Sequence, residues 1–489
     1  MKKLIYVLLP LTFLIVFFST YNLGEQYMWS DEIFSFHAAE RILETGEPTY
    51  ESGLEYGRST IYHYLLAYFM KLFGVNEFGS RVLNIPFALG TWLLISLFSY
   101  TLLKKIKSVN KRVLISYSVG LLYFVSNFSI AMLRETRMYT MNTFLLLTAI
   151  YLIYKGVVET RKGIYLKWLD LKIDLRYVFT AIPVLLIALE TQPINLILGV
   201  GLILFFTLSS VFYKNWRYLL VSVLLLIFAI LMVYVEYDTL NMLIVFDSLS
   251  PDWALDSSPL YYSVLTVRNF PFVILTSVIS IYFLFKKGNI HILFLSSLIL
   301  GFLSFLSFQD AQHERYWQAV IPLIFILSGY SLYLLFKNIN EKRLKYIFIG
   351  LISIFFIFHM YLSVKEITEI ETYTPHSLSI HKKLEFREVS KYVRENDTEN
   401  TIVVGDFHSV YTLQKEGIQI DYLLLTDTDV NWEWGAKDIY FDIPLINQLG
   451  LRIMSSTTDG YLVVRDENRF GEISFEKKNG FERPVIYEF

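Results

Sequence analysis

The sequence has no cysteine. Disulfide stapling is therefore excluded, and so is any zinc site built on thiolates. Charge is scarce as well: 18% of the 489 residues are Asp, Glu, Lys or Arg, against about 25% in ordinary soluble domains. The 43 basic and 45 acidic side chains nearly cancel, leaving a formal net charge of −2. A nucleic-acid binder needs a basic excess to meet phosphates, and none is present. Internal repeats, low-complexity tracts and long linkers are missing too. What the sequence does have is a series of apolar runs of about 17–22 residues, the length that crosses roughly 30 Å of hydrocarbon. A single soluble globule is excluded.

The first run, 4–20, follows Met1-Lys2-Lys3. A signal peptide would place small residues before a cleavage point, and Tyr21-Asn22-Leu23-Gly24-Glu25-Gln26 does not. The run is expected to stay as a first span with a cytoplasmic N-terminus. Ten further spans are expected at 82–103, 113–131, 138–154, 177–191, 194–213, 218–236, 269–285, 290–308, 317–336 and 344–362. The segment 61–73 is apolar but short, and it carries His63 and Lys71. Counting it as a span would place Lys104, Lys105, Lys107, Lys111 and Arg112 outside, against the positive-inside rule. It is expected instead to lie in the outer interface as an amphipathic, aromatic helix. With eleven spans, Lys and Arg collect in the cytoplasmic loops, Asp and Glu collect in the outer loops, and the C-terminus falls outside.

Residues 363–489 change character. Charge becomes dense and mostly acidic, short β-rich runs occur at 401–404, 422–425 and 461–464, and a helical pattern covers about 383–393. The expected organisation is a transmembrane domain, 1–362, whose first outer loop is 21–81, followed by a small extracytoplasmic α/β domain, 363–489. The protein is expected in the cell membrane as a multi-pass protein.

Charges beside membrane spans are costly and are functional candidates for that reason. Trp29-Ser30-Asp31-Glu32 follows the first span, with His37 one to two helical turns further on. Ser30 or Asp31 can simply cap the next helix, and acids suit a first helical turn. The other reading is a carboxylate at the membrane surface that takes a proton from an incoming hydroxyl. Arg134-Glu135-Thr136-Arg137-Met138-Tyr139 lies between spans three and four. Arg134 and Arg137 share a helical face, and two guanidinium groups there suit a phosphate. They can equally snorkel to head groups or pair with Glu135. His313-Glu314-Arg315-Tyr316 leads into span ten, either as an interfacial anchor with Tyr316 and Trp317 in the aromatic belt or as a second arm on the same anion. Arg268, buried in an apolar context before Asn269-Phe270-Pro271, is a lone signal.

Outside the cytoplasm no nucleotide-activated substrate is supplied. A transferase working there needs a donor delivered through the bilayer, and a polyprenyl phosphate sugar fits. Interfacial cations would hold its phosphate and stabilise the charge that grows as it leaves, while one carboxylate would deprotonate the acceptor. A transporter or flippase of a lipid-linked saccharide would use the same arginines without chemistry. Such a protein favours inverted repeats or a charged relay at mid-membrane, whereas here the ionisable residues gather at the outer ends. A cell-surface glycan-binding protein acting through 363–489 is a third possibility, with Trp432 and Trp434 stacking on a sugar, although such a pair is more often packing.

Four pieces, in order, carry a resemblance. They are Trp29-Ser30-Asp31-Glu32; Ile61-Tyr62-His63-Tyr64-Leu65-Leu66 with Phe73-Gly74 and Glu77-Phe78-Gly79-Ser80-Arg81-Val82; Arg134 to Tyr139, an R-x-x-R-x-Y element; and His313-Glu314-Arg315-Tyr316 with Pro322. Together they resemble the GT-C glycosyltransferases of the protein O-mannosyltransferase type, family 39, to which the aminoarabinose transferases of lipid A are related. The resemblance covers 1–362. It implies a polytopic α-helical GT-C membrane fold and an inverting transfer of a sugar from a dolichyl or undecaprenyl phosphate-linked donor to an extracytoplasmic hydroxyl on protein, lipid or glycan. It implies Asp31 as base with Glu32 assisting. Arg137 and Arg315 would lie near the donor phosphate, with Arg134, His313 and Arg268 as further candidates. His37, Tyr139, Glu190 and Tyr316 would line the substrate cavity. No obligatory cofactor or metal is implied, and a divalent cation beside Asp31 and Glu32 is compatible with the pair. The sequence departs from the family at Arg58-Ser59-Thr60, where a Pro-Pro pair is common, and at Glu190-Thr191-Gln192-Pro193, where a Thr-His pair is common. Glu190 thereby adds a carboxylate, which points to a different sugar or acceptor.

Overall fold

In a bilayer an apolar run can satisfy its backbone within itself only as a helix, and helices stand at every stretch expected to span. The computed structural model describes residues 2–25, 28, 30–49, 56–57, 59–160, 163–235, 260–307, 314–339, 341–368, 372–373, 382–383, 386–396, 401–405, 407–424, 444–446, 448–464, 476–477 and 485–488. In chain order the elements are α1 (Lys2–Thr20), α2 (Ser30–Thr45), α3 (Thr60–Phe73), α4 (Glu77–Val82), α5 (Asn84–Leu102), α6 (Val109–Phe124), α7 (Asn127–Leu133), α8 (Tyr139–Ile153), a short hairpin β1 (Ile164–Leu166) and β2 (Leu171–Ile173), α9 (Leu175–Thr191), α10 (Ile197–Phe212), α11 (Trp216–Val235), α12 (Tyr261–Asn269), α13 (Phe272–Lys287), α14 (Ile290–Ser307), a 3-10 segment Glu314–Ala319, α15 (Ile321–Asn338) and α16 (Lys342–Thr368). They continue as β3 (Thr372–Tyr373), β4 (Lys382–Lys383), α17 (Phe386–Asn396), β5 (Thr401–Val404), α18 (Phe407–Lys415), β6 (Tyr422–Leu424), β7 (Leu445–Ile446), α19 (Gln448–Ser455), β8 (Gly460–Val464), β9 (Glu476–Lys477) and β10 (Val485–Glu488).

Among the described residues six helices are long and apolar enough to cross a membrane, and up to eight if each of two bent pairs counts as one span. The first bend corrects the expectation of one continuous span at 113–131, while the second lies at the boundary expected at 269. The run 113–131 breaks by 66° between α6 and α7. Ser126 causes the break by donating its hydroxyl to the Tyr123 carbonyl at 2.6 Å and accepting the Ser129 amide at 3.4 Å, so it ends one helix and caps the next. Near 269 the chain turns by 106° between α12 and α13. Pro271 cannot donate to a preceding turn and drives Phe270 out of the helical region, to φ −132° and ψ 68°. The segment 61–73 does form one helix, α3. Its 14 residues reach about 21 Å, short of a span.

The chain forms two compact units. The first comprises Met1–Ser19, Asn84–Leu133 and Met138–Glu366; the second comprises Thr20–Leu83, Arg134–Arg137 and Ile367–Phe489. The first outer loop therefore groups with the C-terminal residues. In the second unit, β5, β6, β7 and β8 pair in parallel, β10 runs antiparallel to β8, and β9 follows at the edge. Alternate residues bury opposite faces, as strand geometry requires. Ile402, Val404, Leu423, Tyr461 and Val463 pack with Val389 and Val393 of α17 and Val410 and Leu413 of α18. Val403, Leu424, Leu462 and Tyr487 pack with Leu451 of α19. Helices thus cover both faces of a mostly parallel sheet.

In the first unit α10 and α14 meet through facing glycines. A Cβ on Gly301 would lie 2.6 Å from the Gly201 backbone, so neither helix tolerates a side chain at the contact. Small residues permit this close approach where lipid provides no hydrophobic drive between helices. Gly301→Val is expected to cost about 1–3 kcal/mol by overpacking, read as a lower unfolding temperature in detergent, whereas Gly199→Val, which meets open space, should leave it unchanged.

Candidate functional site

Trp29 and the side chains of Ser30 and Asp31 lie outside the described residues, and so do His313, Trp432 and Trp434. The backbone at position 31 belongs to the first turn of α2, and Glu32 follows it. Glu32 is 2% exposed. Arg81 of α4 donates to both of its oxygens, from Nε at 3.1 Å and from Nη2 at 3.2 Å. The Thr136 amide donates to Oε1 at 2.6 Å. The remaining Arg81 arm donates to the Leu23 carbonyl at 3.1 Å. Ser80 and Thr136 share a hydrogen bond at 2.8 Å. Three segments distant in sequence, 21–32, 77–82 and 134–137, are thus joined by one buried, bidentate ion pair. Among the described residues Glu32 is held by three donors, an arrangement that fixes the start of α2.

The two arginines of the R-x-x-R element separate in role. Arg134 donates to the carbonyls of Tyr21 and Asn22 at 2.8 and 2.6 Å, clamping the turn that leaves α1. Arg137 is buried and donates from Nη1 to Ser35 at 3.0 Å and to the Tyr56 hydroxyl at 3.3 Å. Positions 31 and 35 are one helical turn apart on one face of α2, so Arg137 reaches the face on which residue 31 stands. His37 donates from Nδ1 to Glu40 at 3.1 Å and meets the rings of Phe36 and Tyr411 edge-on.

In the first unit the 3-10 segment that follows His313 is pinned by Trp317. The sequence reading allowed Trp317 a place in an interfacial belt. It is instead fully buried, donates its indole N–H to Thr266 at 2.8 Å and stacks on Phe270 at 5.2 Å. That anchor presents Arg315 over the rings of Tyr139 and Tyr316, each 5.8 Å from the guanidinium carbon. The three residues line one small cavity of about 10 Å³ together with Asn142, Gln192 and Gln318. It has room for about one water-sized group. Gln318 and Asn142 are not among the residues expected from the sequence, where Gln192 stands only as a departure from the family. The available signal was spacing: side chains three apart eclipse on a 3-10 helix, so Gln318 follows Arg315 on one edge. Glu190 is half-buried near the end of α9 and is not among the described residues that line this cavity. Gln192 stands there instead.

Arg268 requires a correction, because it is exposed. The buried face of α12 is Tyr262, Leu265, Thr266 and Asn269, and position 268 falls on the opposite side. Among the described residues no three His, Asp or Glu side chains are placed to hold a metal ion.

No protein-family model matches the chain. An uncharacterized protein of Aquifex aeolicus (strain VF5) is 29% identical over 212 residues, a stretch that covers 42% of this chain and 38% of that protein. Among solved structures, ArnT from Cupriavidus metallidurans bound to undecaprenyl phosphate is similar over 99% of this chain and 98% of its own, at 10% identity and a TM-score of 0.61. The archaeal oligosaccharyltransferase AglB from Archaeoglobus fulgidus, in complex with an inhibitory peptide and a dolichol-phosphate, is similar over 93% of this chain and 69% of its own, at 12% identity and a TM-score of 0.51. The chain therefore shares the polytopic helical membrane fold of these two proteins.

The ion pair makes a direct prediction. Arg81→Met alone should destabilise the protein by about 3–5 kcal/mol, because Glu32 is then buried without its counter-ion. Arg81→Met combined with Glu32→Leu should lose less than Arg81→Met alone, measured as unfolding temperature in one detergent. Additive losses would remove the pairing.

Proposed function

We propose that the protein is an integral membrane glycosyltransferase that moves a sugar from a polyprenyl phosphate to an acceptor hydroxyl outside the cytoplasm. The observation that carries this reading is the fold shared along nearly the whole chain with a protein that binds undecaprenyl phosphate. The second such neighbour also holds a polyprenyl-type phosphate. Fold alone does not assign chemistry, and the side chains supply the rest of the argument. Arg315 is cradled by two aromatic rings, and Arg137 is held to the face of α2 on which residue 31 stands.

In this reading Asp31 takes the proton of the acceptor hydroxyl. The oxygen attacks the anomeric carbon from the face opposite the phosphate. The bond to the phosphate oxygen breaks with its electron pair, and polyprenyl phosphate leaves with inversion at carbon. Arg137 and Arg315, with His313, offset the growing phosphate charge. Glu32 and Arg134 serve as positioning groups through the hydrogen bonds that, among the described residues, they make with Arg81, the Thr136 amide and backbone carbonyls. The matching topology has eleven spans, a cytoplasmic N-terminus, and residues 363–489 on the outer side of the cell membrane, where α3 lies at the interface with Tyr64, Tyr68 and Leu72 exposed.

The test is mass spectrometry of membrane lipids and envelope proteins from cells with the chain, without it, and with Asp31→Asn. A sugar adduct that needs the chain and vanishes with Asp31→Asn is expected. Turnover of that variant should fall about 10²–10⁴-fold, while its binding of undecaprenyl phosphate stays near wild type. Arg315→Met should weaken that binding about tenfold, the loss of one charge-assisted contact. A chain-dependent redistribution of lipid-linked saccharide without any adduct favours a flippase instead.

A further inference from the structure

Glu77 is a buried acid that the proposed chemistry does not use. It opens α4, one helical turn before Arg81, and is 3% exposed. Lys415, at the end of α18, donates to its carboxylate. Tyr411, one turn earlier on α18, donates to the same oxygen at 3.5 Å. The Tyr411 ring also stands edge-on to Phe36 and His37 of α2, at 6.0 and 5.9 Å. Burial and the neighbouring Glu77 carboxylate push the Tyr411 hydroxyl well above the usual phenol range, so it remains a donor. Every one of these residues belongs to the second unit.

The charge balance gives the arrangement its consequence. Glu32 and Glu77 are two buried carboxylates that both act on the Arg81 guanidinium. Without a second cation, Arg81 would be drawn between them, and one carboxylate would be left poorly paired. Lys415 supplies that cation from the C-terminal segment and leaves Arg81 to Glu32. We propose that Lys415 and Tyr411 are positioning residues through which the C-terminal domain fixes α4, the Glu32–Arg81 pair and the start of α2 that bears Asp31. The catalytic meaning of this placement rests on the reading of Asp31 as base; the placement itself does not.

The experiment uses the full-length protein in detergent and in vesicles, as wild type, Lys415→Met, Lys415→Arg and Tyr411→Phe. Hydrogen–deuterium exchange is followed for peptides over 30–45 and 77–83, with 386–396 and 460–464 as internal controls. Lys415→Met should speed exchange of the first two regions about tenfold, by local opening, and leave the controls unchanged. Lys415→Arg, which keeps the charge, should restore protection, and Tyr411→Phe should give a smaller effect because the ring contacts remain. Unchanged exchange at 30–45 in Lys415→Met overturns the proposal. Faster exchange in the controls as well also overturns it, since Lys415 then acts only on stability. With the sugar adduct identified as above, Lys415→Met should lower kcat about tenfold, the loss of one charge-assisted contact, with KM for the donor unchanged and with rescue by Lys415→Arg. A raised KM with unchanged kcat overturns positioning of the base. If wild-type membranes yield no adduct, the glycosyltransferase reading fails, and the exchange result still decides the placement.

Discussion

A carboxylate and a guanidinium removed from water must meet each other or destabilise the fold, and the second unit is organised around that constraint. Glu32 and Arg81 are both almost fully buried and lie 49 residues apart in sequence. Satisfying the pair brings the Thr136 amide and the Leu23 carbonyl to the same place. Arg134 then holds the turn at 21–22, and Arg137 reaches Ser35. A loop region with no long hydrophobic element of its own acquires a fixed shape through polar contacts whose partial loss would be costly. The same constraint explains why this region groups with the C-terminal residues, because Glu77 needs Lys415 as Glu32 needs Arg81.

The first unit solves a different problem. Its helices are apolar on most sides, so shape rather than hydrophobicity decides how they meet. Gly201 and Gly301 allow one pair to touch, while Ser126 and Pro271 break two runs that would otherwise continue. The Pro271 break brings Phe270 under Trp317, and Trp317 in turn fixes the 3-10 segment that carries Arg315. A guanidinium above two aromatic rings is presented in one orientation by a buried anchor two residues away. That is how a short polar segment at the end of a span obtains the rigidity a binding site requires.

Several features were legible in the sequence because they follow from local periodicity. The short β-rich runs at 401–404, 422–425 and 461–464 are one, since they coincide with β5, β6 and β8. The shortness of α3 is another. Arg268 misled because apolar neighbours in sequence do not fix which face of a nine-residue helix is buried. Gln318 and Asn142 went unremarked because an uncharged amide carries no signal until a cavity forms around it. Glu32 was legible as an acid at the head of a helix, but the donors it meets among the described residues come from 81 and 136, far along the chain.

The sequence by itself determined which segments are apolar enough to meet lipid, the helices that follow from this, the short strands at 401–404, 422–424 and 460–464 and the set of charges that stand at the ends of the apolar runs. Transfer free energy and backbone hydrogen bonding act residue by residue, so composition and spacing suffice for these. Only the tertiary structure decided which charges are committed to one another and which are presented to a cavity. Buried pairing is a long-range choice among many carboxylates and cations. It gave Arg81 to Glu32, Lys415 to Glu77 and Arg134 to backbone carbonyls, while Arg315 stands over the rings of Tyr139 and Tyr316.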